Sequence, residues 1–384
     1  MIPLSKPFIE DDDIKEVLNV LHSRWLALGP YLERFEEAIS RYTDLKYAVA
    51  VNSGTSALHL ILRALNPEPG EYMIVPSFTF ISSANVALFE GVIPLFVDID
   101  ENTYNTSPEA LEDLLIRIER GRYYLDGNGV DIKKVKYFMG VDIFGQPLDW
   151  DRIISILEER DITIIEDSCE ALGSEYKGKK VGSFGVAGAF AFYPNKQITT
   201  GEGGVVVTND ERIYKLSKSM RNQGRGEDEK WLSHVRLGYN YRMDEMSAAL
   251  GYSQMRKLNR ILEMRENVAK TYSELLRSVD GVRPPVIKEY TTKMSWFVYV
   301  VMLDEGIDRD KVIEMLKKKG VESRNYFQPI HLQPFYRELG YSEGELPVTE
   351  NVSKRTLALP FYTSMKSEEV EKVVEALKSV LENL

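Results

Sequence analysis

The sequence predicts an α/β protein: a large domain on a mixed, mostly parallel sheet, followed by a smaller α+β C-terminal domain. Three observations predict it. Between residues 47 and 208, near-continuous apolar runs alternate with helical patterns, the mark of strands covered on both faces by helices. After about residue 244 that alternation stops, and a long helical stretch leads into isolated strand and helix patterns. Finally, 384 residues exceed what one hydrophobic core usually holds, so a second unit is expected. The expected division is 1–245 and 246–384.

In chain order the predicted strands are YAVAV (47–51), YMIVP (72–76), VIPLFVDI (92–99), VKYFMGV (135–141), ITIIED (162–167), AFAFY (189–193) and GGVVVT (203–208). GTSALHLILRAL (54–65) reads as a helix entered directly from the first strand, and DWDRIISILEERD (149–161) as the helix before the fifth. RGRYYLDGNGVDIKKVK (120–136) stands out as an insertion, with Asp126-Gly127-Asn128-Gly129 as a turn signal for a hairpin or loop. QGRGEDEKW (223–231) is polar and contains glycine, so a mobile loop is expected there. Residues 244–279 read as one long helix broken at most once. WFVYVVML (296–303) is a strand, and 308–320 and 367–384 are amphipathic helices.

Composition excludes several function classes. The net charge is −11 and no long basic run occurs, which argues against nucleic acid as a partner, because phosphate neutralisation supplies most of that affinity. No apolar stretch reaches the length of a membrane span. The start, MIPLSKPFIEDDD, lacks the apolar run of a secretory signal, and a cytoplasmic protein is expected. A single cysteine, Cys169, fits a reducing compartment, and no pair among the four histidines has metal-ligand spacing, so no metal site is expected.

The chemistry-bearing residues fall at strand ends. FAFYPNKQITTGEGGVVV (190–207) holds Lys196 in apolar company, a setting that suits a Schiff-base lysine, which must be neutral to attack a carbonyl. NSGTSALHL (52–60) sets Gly54, Thr55 and Ser56 at a strand-to-helix junction, where free N–H groups and the helix dipole favour a phosphate. Read alone, that junction is equally a plain helix cap. IIEDSCEALGS (164–174) brings Glu166, Asp167 and Glu170 to the end of a buried strand, the usual ligand position in an open α/β sheet. PSFTFISSANV (76–86) offers Phe78 and Phe80 as plates for a planar ring. Lysine, phosphate cradle, acid and plate together are the parts for pyridoxal phosphate.

With NSGTSAL, PSFTF, EDSCEALGS, FYPNKQITTGEGG, GYNYRM (238–243) and NYFQPIH (325–331) in order and spacing, the chain resembles the DegT/DnrJ/EryC1/StrS family of sugar aminotransferases over almost its full length. The resemblance implies an aspartate-aminotransferase-type (fold type I) architecture, pyridoxal 5′-phosphate as cofactor, and a homodimer with shared active sites. Lys196 would be the Schiff-base lysine, and Asp167 the partner of the pyridine nitrogen. Glu170 would lie near the ring hydroxyl, Phe80 would stack on the ring, and Gly54, Thr55 and Ser56 would hold the phosphate. Asn240 would reach the phosphate of the partner subunit's cofactor. Tyr326 and His331 would lie towards the sugar.

L-glutamate is the expected amino donor and a nucleotide-diphosphate keto-sugar the acceptor. ITTGEGG resembles members that aminate C4 of 4-keto-6-deoxyhexoses, whereas members acting at C3 more often show a GALGDGG-like phrase. Amination of a C3-keto sugar or a cyclitol, or a non-catalytic sugar sensor on the same fold, are the alternatives. A dehydratase of this fold would carry histidine in place of Lys196. Arg221, Arg225, Arg236 and Arg242 lie in and around the 223–231 stretch and are candidates for the diphosphate. Three departures from the family pattern stand out: Ala191 where a phosphate-binding serine is common, Asp142 where a histidine is usual, and the insertion at 120–136. GSEYKGKK (173–180) begins as a P-loop and fails, because Lys180 stands where Ser or Thr must bind Mg²⁺.

Overall fold

A computed structural model describes residues 1–226 and 232–384; Glu227 to Trp231, in the stretch expected to form a mobile loop, lie outside the described residues. The strands β1 (Tyr47–Val51), β2 (Tyr72–Pro76), β3 (Ile93–Val97), β4 (Val135–Val141), β5 (Thr163–Asp167), β6 (Ala187–Ala191) and β7 (Gly204–Thr208) form a seven-stranded sheet in the order β1-β7-β6-β5-β4-β2-β3. Only β7 runs antiparallel to its neighbours. The register sets Val141 opposite Asp167 and Asp167 opposite Ala189, so the carboxyl ends of β4, β5 and β6 open at one level. That edge is where a ligand can sit beyond a parallel sheet.

The predicted strand at 189–193 lies two residues earlier, as β6. Its small residues explain the shift. Gly188 passes so close to Gly182 that an added Cβ would sit 2.7 Å from the Gly182 Cα, and beyond the strand Phe192 packs on Phe35 while Tyr193 lines the cavity.

Helix Gly54–Ala64 follows β1 after two residues. Ser53, extended at φ −165°, caps it by accepting from the Ser56 amide at 3.1 Å. The predicted long helix at 244–279 is two helices, Glu245–Met255 and Leu258–Leu276. Lys257 leaves helical geometry between them, and its ammonium meets Glu10, Asp12 and Asp13 at 2.7–3.2 Å. Glu245 accepts from the amides of Gly29, Tyr31 and Leu32, which caps helix Pro30–Thr43. The N-terminal helices are thereby tied to the middle of the chain.

The hydrophobic core changes within helix Leu258–Leu276. Ile261 and Leu262 pack with Phe35 and Val205 of the large unit, while Val268, Tyr272 and Leu276 pack with Tyr299, Val312 and Leu377 of the small one. The small unit's sheet joins strands Val282–Arg283, Tyr299–Leu303 and Thr356–Leu359. Ile2 bonds to Gly320 and Glu322 there, so the first residues of the chain belong with the last.

The insertion forms a hairpin. Tyr124–Leu125 pairs with Asn128–Gly129 across a two-residue turn in which Asp126 (φ 48°) and Gly127 (φ 72°) are both left-handed. It rests against the turn at Gly340, where a Cβ would come within 2.9 Å of Asp126 atoms. Among the described residues no helix is long and apolar enough to cross a membrane.

Candidate active site

A cavity of about 680 Å³ opens at the carboxyl edge of β4–β6. The start of helix Gly54–Ala64 forms one end, with Ser53, Gly54 and Thr55; the 325–328 segment of the small unit forms another wall. Phe80, Asp167, Glu170, Lys196 and Tyr326, all expected at the site, line the space between.

Lys196 lies in the turn after β6, its side chain 13% exposed. Its Nζ is 3.5 Å from Glu170 Oε1 and 3.8 Å from the centre of the Phe297 ring. Burial pushes the Glu170 carboxyl up from its ordinary range, against the nearby Lys196 charge and the Phe144 amide, which donates to Oε2 at 3.0 Å. Asp167 points into the cavity from the last position of β5. The Ser83 hydroxyl donates to its Oδ2 at 2.6 Å and the Cys169 amide to its Oδ1 at 3.1 Å, which fixes its rotamer.

The two phenylalanines separate. Phe78 is fully buried against Tyr104, Phe144 and Phe327, whereas Phe80 lines the cavity and is 59% exposed. At the helix end, Thr55 Oγ1 and Ser82 Oγ stand 2.7 Å apart, both at the cavity. Ala191 lines the same cavity and supplies no hydroxyl. Ser56 does not line the cavity; its hydroxyl turns back to Asn52 Oδ1 at 2.7 Å, and Ser53 takes its place.

Three other expected residues do not line the cavity in this chain. His331 is fully buried, with Nδ1 2.7 Å from the Ser77 hydroxyl and Nε2 3.1 Å from Glu350. Both ring nitrogens are engaged in the packing behind β2, so its expected place beside the sugar is corrected. Arg242 bonds to Asn222 Oδ1 at 2.9 Å and Gln223 Oε1 at 2.6 Å. Asn240 is exposed and its carbonyl takes the Asn52 amide at 3.4 Å. Of the remaining arginines, Arg221 is buried and ion-paired to Glu36, Arg236 donates to the Ser219 hydroxyl, and Arg225 offers its carbonyl to that hydroxyl.

The sequence reading missed Ser82, Ser83, Asn195, Glu202 and Phe297. Ser82 and Ser83 lay inside the quoted phrase PSFTFISSANV, but only the start of helix Ser82–Phe89 decides where their hydroxyls point. Phe297 comes from a strand-like run with no polar signal at all.

Asp142 acquires a clear place. It is fully buried at the end of β4, and its Oδ1 accepts from the Leu148 amide and the Trp150 indole. The Ser168 hydroxyl lies 2.7 Å from Asp142 Oδ2 and 3.1 Å from Glu166 Oε1. One hydroxyl hydrogen cannot satisfy two carboxylates. Glu166 takes the Phe184 amide at 2.7 Å as well as those of Gly182 and Gly185, so it is the ionised member. Burial, and then the Glu166 charge, push the Asp142 carboxyl well above its usual range, and it keeps its proton.

The folded protein therefore holds a proton that the unfolded chain releases above the ordinary carboxylate value, and stability falls as pH rises, by about 1.4 kcal/mol per pH unit while one full proton is retained. Asp142→Asn, a neutral isostere, is expected to remove that component of the slope. Urea midpoints of both proteins between about pH 5 and about pH 8 test it. Parallel slopes would refute the proton retained on Asp142.

The chain matches the model of the DegT/DnrJ/EryC1/StrS aminotransferase family over residues 7–378. It belongs to that family. GDP-perosamine synthase from Caulobacter vibrioides is 34% identical over 384 residues, covering 99% of this chain and 98% of its own. The UDP-4-amino-4-deoxy-L-arabinose–oxoglutarate aminotransferase of Shewanella sediminis is 31% identical, covering 100% and 98%. Among solved structures, the aminotransferase PseC of Helicobacter pylori, involved in pseudoaminic acid biosynthesis, superposes with a TM-score of 0.91 at 28% identity, covering 100% of both chains. A sugar aminotransferase from Streptococcus pneumoniae, solved in PLP and PMP forms, gives 0.90 and 0.91 at 28% identity.

This DegT/DnrJ/EryC1/StrS member is thus a sugar aminotransferase of fold type I that depends on pyridoxal phosphate. Its own residues fit the cofactor. A lysine amine, an oriented carboxylate and an open aromatic face share one cavity with a capped helix N-terminus, and Asn195 Oδ1 is buried there without a partner. Gly54 is part of the cradle: a Cβ would meet Ala191 Cβ at 2.7 Å and Cys169 Sγ at 3.0 Å. Gly54→Ala is expected to cost about 1–3 kcal/mol of stability through overpacking, and to weaken cofactor retention. Thermal midpoints and the cofactor content of dialysed protein measure both; an unchanged pair of values would remove Gly54 from the cradle.

Proposed function

We propose that the enzyme takes an amino group from L-glutamate and delivers it to C4 of a nucleotide-linked 4-keto-6-deoxyhexose, giving a 4-amino sugar for surface polysaccharide or glycan biosynthesis. The observation that carries the amino-transfer chemistry is the Lys196 amine, in a cavity that also holds Asp167 and the exposed Phe80 face. When bound, pyridoxal phosphate supplies an electron sink for the carbon that loses a proton.

The chain's own groups do the rest. Free N–H groups at Gly54 and Thr55, with the Thr55 and Ser82 hydroxyls, would hold the phosphate. Asp167, fixed by Ser83 and Cys169, would keep the ring nitrogen protonated. Phe80 would cover one ring face. The Lys196 amine would act as general base and then as acid, moving a proton between the substrate carbon and the cofactor in both halves of the reaction. Phe297 sets the centre of its ring face 3.8 Å from that amine. The Tyr326 phenol, raised to about 12 chiefly by burial, stays protonated and can donate to a sugar oxygen.

Support for the C4 position comes from the ITTGEGG phrase and from a relative whose name carries a 4-amino sugar. We infer a homodimer as well. Large apolar side chains stand exposed at Trp25, Val235 and Leu237, and a second copy would bury them. Incubation with glutamate and a panel of nucleotide-linked 3-keto and 4-keto sugars, with products read by mass and NMR, tests the assignment. Amination confined to C3 overturns the position; no release of 2-oxoglutarate overturns the donor.

A further inference from the structure

The lining of the active-site cavity carries three carboxylates, Asp167, Glu170 and Glu202, against one ammonium, Lys196. A nucleotide-linked sugar brings a diphosphate of at least two negative charges, and even with Glu170 pushed towards its neutral form the described lining offers no cation beyond Lys196 to receive it. Three of the four arginines expected to receive it are engaged elsewhere: Arg221 is buried on Glu36, Arg236 is on Ser219, and Arg242 is held by Asn222 and Gln223.

Arg324 differs from these. It immediately precedes the cavity wall formed by Asn325, Tyr326, Phe327 and Gln328. It is exposed, and among the described residues no carboxylate lies within ion-pair distance; its guanidinium touches only the carbonyl of its neighbour Ser323, at 3.3 Å. Its backbone is not free to drift. The Arg324 amide donates to the Ala358 carbonyl at 3.2 Å, and the Ala358 amide donates back at 2.8 Å, which pins the residue beside the buried strand Thr356–Leu359. The charge is felt at the site, since the guanidinium works against burial at the cavity-lining Tyr326 phenol.

We propose that Arg324 receives the diphosphate of the nucleotide-linked substrate. The nucleotide then leaves the cavity across the 324–328 wall, at a distance from the helix end that holds the cofactor phosphate. A guanidinium suits the role, because its fork can donate to two phosphate oxygens at once. The inference rests on the nucleotide-sugar reading above.

Calorimetric titration of the holoprotein with UDP, GDP and dTDP, and with the matching nucleosides, tests it. For the diphosphate that binds wild type best, Arg324→Gln is expected to weaken affinity about tenfold to a hundredfold. The nucleoside is expected to change less than twofold, and Arg324→Lys to fall between wild type and the glutamine variant. Arg337→Gln removes the same charge from an exposed position away from the cavity and controls for net charge. Thermal midpoints control for folding, and if the glutamine variant melts early, the lysine variant carries the comparison. Equal diphosphate affinity in the variant, or no binding of any of the three to wild type, overturns the proposal. Amino transfer is read separately, from 2-oxoglutarate released by wild type, so the two readings fail independently.

Discussion

Lys196→Ala is expected to lower amino transfer at least about a thousandfold, because it removes the only amine lining the cavity among the described residues and with it the proposed general base for the proton step. The loss is one of chemistry, not of fold. The nearest charged neighbour of that amine is Glu170, at 3.5 Å, already pushed towards its neutral form by burial. With the ammonium gone, Glu170 takes up a proton instead of standing as an unpaired buried charge, so the thermal midpoint is expected to move by only a few degrees.

Lys196→Arg sharpens the test. It keeps a positive charge beside Glu170 and the Phe297 ring but cannot give up its proton, and it is expected to be as inactive as the alanine variant. Borohydride reduction of the wild-type holoprotein followed by peptide mapping is expected to label the peptide carrying Lys196, and to label neither variant. A label on another side chain, or activity in either variant within tenfold of wild type, would remove Lys196 from its role.

How much of this was legible beforehand divides along a physical line. Buried strands announce themselves, because burial on both faces demands unbroken apolar runs; YAVAV, YMIVP and VKYFMGV coincide with β1, β2 and β4 residue for residue. The Asp-Gly turn of the insertion was equally readable, since few residues accept two successive left-handed conformations. The shift of β6 was not, because it depends on Gly188 meeting Gly182, a contact between residues of different segments. The break at Lys257 was hidden for the same reason: three carboxylates from the first helix turn draw it out of the helical path.

At the site, residue types that carry chemistry were visible, and their surroundings were not. Lys196, Asp167, Glu170 and Phe80 stood out by type and by position at strand ends. His331 stood out by type as well, but the partners that occupy both its nitrogens, Ser77 and Glu350, lie 254 and 19 residues away. Asp142 shows the converse. As a departure from the family pattern it had no assignable consequence, and only the shared Ser168 hydroxyl reveals that it lies buried with a proton on the strand end next to Asp167.

Asp167→Asn is expected to slow the half-reaction with the amino donor about 10²–10³-fold, the range for losing one preorganised electrostatic partner. The substitution preserves shape, so what it removes is charge. Asp167 is held on both oxygens, by the Ser83 hydroxyl at 2.6 Å and the Cys169 amide at 3.1 Å. An amide can satisfy one of those donors through its oxygen and must turn its NH₂ towards the other position, where it can no longer stabilise a positive ring nitrogen.

Ser83→Ala separates orientation from charge. It keeps the carboxylate and frees one oxygen, and about a tenfold slowing is expected, the worth of one charge-assisted hydrogen bond. The order wild type, Ser83→Ala, Asp167→Asn in stopped-flow rates, with cofactor content held equal, is the signature of a carboxylate that works by its charge and is aimed by its neighbour. If the asparagine variant matches the serine variant, position 167 acts through shape alone, and the electrostatic account of the site fails at its centre.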